Sequence, residues 1–226
     1  MQPADDFIIV ITGDLADNVN KPYQREKAAQ AVEKLKAQRY QVLVVPGNHD
    51  YGTGTLGNIK NVKLFKERFY GSSEIQYPKL DVIDGIAFIG LDSNAEELHW
   101  HDRFFAQGEI GREQRERLGS LLEDTSLSGL KKVVYLHHHP FDYKIGRQLK
   151  DSDELRLILE NRVDVLLFGH YHRSKTSTTK VLHRTWGIPR CYNAGTATHK
   201  NDNPGFHRII DLANPDPQQD YDGCFI

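Results

Sequence analysis

Five short stretches hold residues that could do chemistry together: Gly13-Asp14-Leu15-Ala16-Asp17, Gly47-Asn48-His49-Asp50, His137-His138-His139-Pro140, Gly169-His170-Tyr171-His172 and Tyr192-Asn193-Ala194-Gly195. Asp14 offers a hard carboxylate, Asn48 a carbonyl oxygen, and His138, His170 and His172 imidazole nitrogens. Mixed oxygen and nitrogen donors suit zinc, manganese or iron better than calcium or magnesium. No cysteine lies among them, so a cysteine-type structural zinc site is not the reading. Spacing to Pro140 favours His138 within the HHHP run, with His137 and His139 as the alternatives.

Taken alone, each stretch is an ordinary turn. Their shared position argues for function, because each follows an apolar run. FIIVIT (7–12), QVLVVP (41–46), KKVVYL (131–136) and VDVLLFG (163–169) read as strands buried on both faces. Asp84-Gly85 between two apolar runs predicts a hairpin over 80–92. Helices fit 22–38, with Ala28, Ala31, Val32 and Leu35 on one face and Pro22 in the first turn, then 60–69 and 111–124, with Leu118, Leu121 and Leu122 inward. A further helix fits 153–161, with Asp151, Ser152 or Asp153 available as its cap. VLHRTW, IPRCYNAG and FHRIIDL predict closing strands, and residues 214–226 read as a loose tail behind a single domain over 1–213. Alternating strands and helices argue an α/β fold with a mainly parallel sheet. In such sheets, ligands sit at the carboxyl ends of the strands, where these stretches fall.

Composition narrows the class. The 226 residues are 38% hydrophobic and 27% charged, with a net charge of -2, which fits a globular chain without a basic face for nucleic acid. Cys191 and Cys224 make no disulfide framework, and a reduced, cytoplasmic chain is the expectation. No apolar run is long enough to span a membrane, and no secretory leader is visible. Seven of the eleven histidines fall in clusters at 99 and 101, 137–139, and 170 and 172, which a solvated surface does not need.

Gly13-Asp14-x-x-Asp17, Gly47-Asn48-His49-Asp50, His138-x-Pro140 and Gly169-His170-x-His172, in this order, resemble the signature of the calcineurin-like metallophosphoesterases. The resemblance runs from about Asp6 to about Leu212, and GDLADN, GNHD, HHP, GHxH and NAGTAT look most like the class III cyclic-nucleotide phosphodiesterase branch. It implies an αββα sandwich of two mixed sheets with helices outside. It also implies two divalent metals, about 3.5–4 Å apart, that bracket a hydroxide and the phosphate of a small phosphoester. Carried over, Asp14 bridges both metals, Asn48, His138 and His170 complete the second, and His172 reaches the first. His49 contacts the phosphate and protonates the leaving oxygen. Asp50 or Asp17 orients neighbours from behind the ligands.

The resembling family also places an Asp-x-His motif ahead of GDxxD, and here only twelve residues precede Gly13 and none gives it. The first metal then keeps Asp14 and His172, and the chain reads as starting at an internal Met, with a neighbouring strand left unpaired. Gly52-Thr53-Gly54-Thr55-Leu56-Gly57 matches a dinucleotide fingerprint, but Pro46–Tyr51 already occupies the tight turn where its first glycine belongs. His99-Trp100-His101 reads as a surface loop or a shaper of substrate choice, and His183, His199 and His207 carry no spacing argument. Arg112, Arg115 and Arg117 with Glu113 and Glu116 read as a solvated helix face. No G-x-S-x-G or placed cysteine offers a rival nucleophile. The competing readings are a catalytically silent scaffold of the same fold and a nuclease of the same superfamily.

Overall fold

Each apolar run divides its side chains between two cores, as a strand covered on both faces must. The computed structural model describes residues 4–53, 57–94, 107–141, 148–171, 186–197, 205–214 and 220–225. In chain order the elements are β1 (Ile8–Ile11), α1 (Pro22–Ala37), β2 (Gln41–Val44), α2 (Asn48–Tyr51), α3 (Ile59–Tyr70), β3 (Lys79–Ile83) and β4 (Ile86–Gly90). They continue with α4 (Arg112–Glu123), β5 (Lys131–Tyr135), α5 (Ser152–Leu159), β6 (Val165–Phe168), β7 (Arg190–Asn193), β8 (Gly205–Ile209) and β9 (Tyr221–Phe225).

Strands β3 to β7 form a five-stranded sheet in sequence order, parallel except for the β3–β4 hairpin. β1 and β2 pair in parallel as a second sheet. Leu43 and Val45 meet Phe88, Val133, Tyr135, Val165 and Tyr192 between the two sheets, with Ile8 and Val10 packed alongside. The opposite faces are covered by helices. Ile89, Val134, Leu136, Leu166 and Phe168 pack with Leu118 of α4 and with Leu155 and Leu159 of α5. Val44 packs with Tyr51 and with Val62 and Phe65 of α3. The layers therefore run helix, sheet, sheet, helix, as the resemblance implies. Because β1 and β2 run parallel to each other, and β4 to β7 likewise, the carboxyl-end loops within each sheet gather at one edge.

The hairpin turns through Asp84 and Gly85, both at positive φ (50° and 76°), the geometry that two-residue hairpin loops need. Asp151 takes the N-cap position of α5, one of the three candidates, but its side chain makes no capping bond; its carboxylate accepts instead from the backbone of Ile110 (3.0 Å) and Gly111 (2.9 Å), at the front of α4. Arg115, which reads as solvated, pairs with that same buried carboxylate. Arg117 donates Nε to the carbonyl of Tyr77 at 2.8 Å, and Arg112 keeps the expected exposed pair with Glu116.

The tail is the second correction. Residues 221–225 are not loose but form β9, antiparallel to β8. The segment is held by Asp220, which accepts from Tyr192 Oη and from the backbone of Asp211 (2.9 Å) and faces Arg190 Nε at 3.5 Å. A Pro- and Asp-rich composition gives no sign of partners so far upstream. The strand expected over VLHRTW lies outside the described residues, except for buried Trp186. Among the described residues no helix is long and apolar enough to cross a membrane.

Breaking a buried ion pair from one side costs about 3–5 kcal/mol. Asp220→Ala is expected to lower the unfolding free energy from urea titration by an amount in that range, with a matching fall in the midpoint, and removal of 214–226 by at least as much. An unchanged midpoint after the deletion would show that β9 adds nothing.

Candidate metal centre

The loop after β1 bends through two consecutive left-handed residues, Gly13 (φ 95°) and Asp14 (φ 54°). This turn brings the Asp14 carboxylate against the loop after β2. A Cβ on Gly47 would lie 2.2 Å from Asp14 Oδ1, and one on Gly13 would lie 2.6 Å from His137 Nδ1, so both positions require glycine. His170, just past β6, is also left-handed (φ 64°). Two non-glycine residues held in this region cost energy that the surroundings must supply, as is common at functional sites.

His137 is the hub. Its Nδ1 lies 2.8 Å from the Thr12 carbonyl, which only accepts, so Nδ1 carries the proton and Nε2 presents a lone pair. That Nε2 faces Asn48 Oδ1 at 2.9 Å, His170 Nδ1 at 3.1 Å and Asp14 Oδ2 at 3.4 Å. An imidazole lone pair, an amide oxygen and a carboxylate oxygen are all acceptors, and a cation between them would satisfy all three at once. Ligands bound about 2.1 Å from one ion in tetrahedral or octahedral arrangement lie about 3.0–3.4 Å apart, so the observed separations fit a shared ion.

His138 is fully buried beside this hub, its ring centroid 4.6 Å from that of His170. Burial, then His170 and His137, hold it well below its ordinary pKa, so it is neutral and its ring offers a lone pair. Its Nδ1 pairs with Ser93 Oγ at 2.9 Å, and its Nε2 has no hydrogen-bond partner. Ligand nitrogens of His137, His138 and His170 lie within 4.8 Å of one another. An orphaned buried nitrogen inside a set of oxygen and imidazole donors fits a bound transition metal. His139 is turned away: its Nδ1 accepts from the Phe141 backbone at 3.1 Å, and its ring packs on Phe168.

Asp50 ties the first two loops together. Its buried carboxylate accepts from the backbones of Gly47 (2.9 Å), Ala16 (3.0 Å) and Leu15 (3.2 Å). Burial, and then the Asp14 charge, push this carboxyl up to about 7, with the three N–H groups pulling the other way. His49 donates its backbone N–H to Asp14 Oδ1 at 3.1 Å, and its Nδ1 meets the Asp17 carbonyl at 2.6 Å. Asp17 therefore contributes its backbone, while its side chain is exposed. Asn193 holds the chain just past His170, donating Nδ2 to the Tyr171 carbonyl at 2.8 Å. Gly52 and Gly57 bridge each other after α2, which pinches together the two ends of the glycine-rich stretch.

The structure thus brings together Asp14, Asn48, His49, Asp50, His138 and His170, and places His137 at their centre. His172 lies outside the described residues, as do His99, Trp100, His101, His183 and His199. The Thr12 carbonyl and Ser93 were not legible, since a backbone acceptor leaves no trace in residue type and Ser93 is 45 positions from its histidine. His137 had one signal. Val133 and Tyr135 face the inter-sheet core, and the period of two carries His137 toward the same side.

The raised Asp50 value fixes a sign. This group favours the folded state most below about pH 4 and loses that contribution as pH rises through 7. The stability of the metal-free chain is therefore expected to fall between about pH 5 and pH 8 more steeply in wild type than in Asp50→Asn. Urea midpoints across that range check this, and identical slopes would remove Asp50 as the cause.

Residues 2–174 match the model of the family described as calcineurin-like phosphoesterase. The chain is also 28% identical, over 177 residues, to a Coxiella burnetii (strain RSA 493 / Nine Mile phase I) protein that bears the name probable cyclic nucleotide phosphodiesterase. That match covers 75% of this chain and 61% of the relative, so the chain spans about three-fifths of the relative's length. The converging donors and the match over most of its length agree: the chain belongs to the calcineurin-like phosphoesterase family, whose members are metal-dependent.

Proposed function

We propose that this chain is a metal-dependent phosphoesterase that hydrolyses a phosphodiester, with 3',5'-cyclic nucleotides as the substrate class. The observation that carries the reading is the meeting of three acceptors, with Asn48 Oδ1 and Asp14 Oδ2 both within 3.4 Å of His137 Nε2. Asp14, Asn48, His137 and His170 would hold one divalent ion of manganese, iron or zinc, with His138 Nε2 as a further donor. A second ion would draw on Asp14 and on His172. Bound there, divalent metals supply Lewis-acid stabilisation of phosphoryl oxygens and lower the pKa of water. The cyclic-nucleotide assignment leans on the name of the Coxiella relative.

The remaining chemistry belongs to the protein. His49 is partly exposed, and the Asp17 carbonyl fixes the proton on its Nδ1. Its Nε2 is then the position that gains and loses a proton, which suits donation to the leaving oxygen. The backbone bond from His49 to Asp14 ties this proton donor to the metal-binding carboxylate. Asp50 keeps the two loops from separating.

Elemental analysis paired with manganese-stimulated hydrolysis of an aryl phosphodiester and of cyclic AMP tests the reading. His137→Ala and Asn48→Ala are expected to lose both bound metal and turnover. His139→Ala is expected to keep its metal and lose only stability. His49→Gln is expected to keep its metal and lose about 10²–10⁴-fold in turnover, the usual span for a general acid. A wild-type chain that retains no metal sinks the proposal. Metal without turnover on any ester favours the silent scaffold, and cleavage of DNA favours the nuclease.

A further inference from the structure

The donor loops after β2 and β5 are both fastened to the three residues that follow Leu91 at the tip of β4. Tyr51 is the last residue of α2, the short helix that carries Asn48 and His49. Its fully buried hydroxyl donates to Asp92 Oδ2 at 2.7 Å. Asn94 donates Nδ2 to the carbonyl of Pro46 at 3.2 Å, on the other side of the same turn. Both the backbone N–H and the Nδ2 of Asn94 also donate to Asp92 Oδ1, at 3.0 and 2.9 Å. Asn48 and His49 are thus gripped from both ends through one carboxylate. Between these two residues, Ser93 Oγ accepts from the backbone of His138 at 3.1 Å and pairs with its Nδ1 at 2.9 Å. That contact fixes the ring so that the unpartnered Nε2 is the end left for the donor cluster.

The segment is itself held rigidly from the helical layer. Gln114 of α4 accepts from the Asp92 N–H at 2.9 Å and donates to the Asp92 carbonyl at 2.7 Å. The Glu109 N–H donates to the Ser93 carbonyl at 3.0 Å. Burial pushes the Asp92 carboxyl above its ordinary range, and the bonds from Tyr51 and Asn94 offset part of that cost. Ser93 and Asn94 are fully buried, so neither is placed to meet a substrate.

We propose that Asp92-Ser93-Asn94 is a positioning strap that sets the register between the Asn48–His49 turn and His138, and so sets the affinity of the metal centre. This rests on the metal reading of the site given above. The three residues act through Tyr51, Pro46 and His138 and touch no reacting group. Contacts that orient metal ligands from behind typically change metal affinity or activity by about 10–100-fold when removed.

The test uses the full metal-free chain and manganese alone as the probe, with Kd from calorimetry and thermal midpoints of the metal-free forms. Tyr51→Phe removes the hydroxyl that meets Asp92, and Ser93→Ala the one that meets His138. Asp220→Asn is the control: its carboxylate accepts from Tyr192 Oη and from the Asp211 backbone, away from the strap. All three variants are expected to lower the thermal midpoint. Tyr51→Phe and Ser93→Ala are expected to weaken manganese binding about 10–100-fold, and Asp220→Asn to leave it unchanged. Wild-type affinity in both Tyr51→Phe and Ser93→Ala overturns the proposal, as does an equal loss in Asp220→Asn. Should Tyr51→Phe fail to fold, Ser93→Ala decides alone. A wild-type chain that binds no manganese overturns the metal reading itself, which separates that failure from failure of the strap.

Discussion

Hydrogen-bond acceptors do not gather in a dry space without something positive between them. Here a carboxylate oxygen, an amide oxygen and an imidazole lone pair meet at the tips of β1, β2 and β5, with Asn48 and His137 almost wholly buried. Desolvating such groups without a compensating donor or charge is costly. The arrangement persists because the surrounding structure over-determines it. Left-handed turns at Asp14 and His170 aim the side chains, and glycines at 13 and 47 let two backbones approach where a Cβ would collide.

The same problem is solved repeatedly with buried carboxylates. Asp50, Asp92 and Asp151 each accept hydrogen bonds from segments remote in sequence, and Asp220 does so at the tail. Each is worth burying only when fully partnered, since removal of a partner leaves an uncompensated charge or polar group behind. Asp50 and Asp92 fasten loops of the donor cluster, while Asp151 fixes the front of α4 and Asp220 clips β9 to β7. The molecule thus uses one chemical device for two purposes, to hold the site and to hold the frame.

The frame in turn explains why the cluster sits at one edge. Strands β4 to β7 run in parallel, and so do β1 and β2, with a shared core between the two sheets. Parallel strands deliver their carboxyl ends together, and loops there are free to carry polar residues. Packing one sheet on the other then brings the tip of β1 beside the tip of β5. The Thr12 carbonyl meets His137 in this way, across 125 positions of sequence.

By itself the sequence determined most of the elements, β9 excepted, and the donor types. Continuous apolar runs marked strands buried on both faces, Asp84-Gly85 marked the hairpin, and the ordered Asp, Asn and His motifs carried the resemblance to the calcineurin-like phosphoesterase family. What it could not decide was which of three adjacent histidines faces the other donors. Alternation along β5 separates His137 from His138, but only the packing of one sheet on the other says which phase looks toward β1 and β2. The partners of Asp151, Asp220 and Ser93 were hidden for a related reason. A carboxylate or hydroxyl shows its capacity in the sequence, whereas its partner is chosen by chain segments that become neighbours only when the layers close.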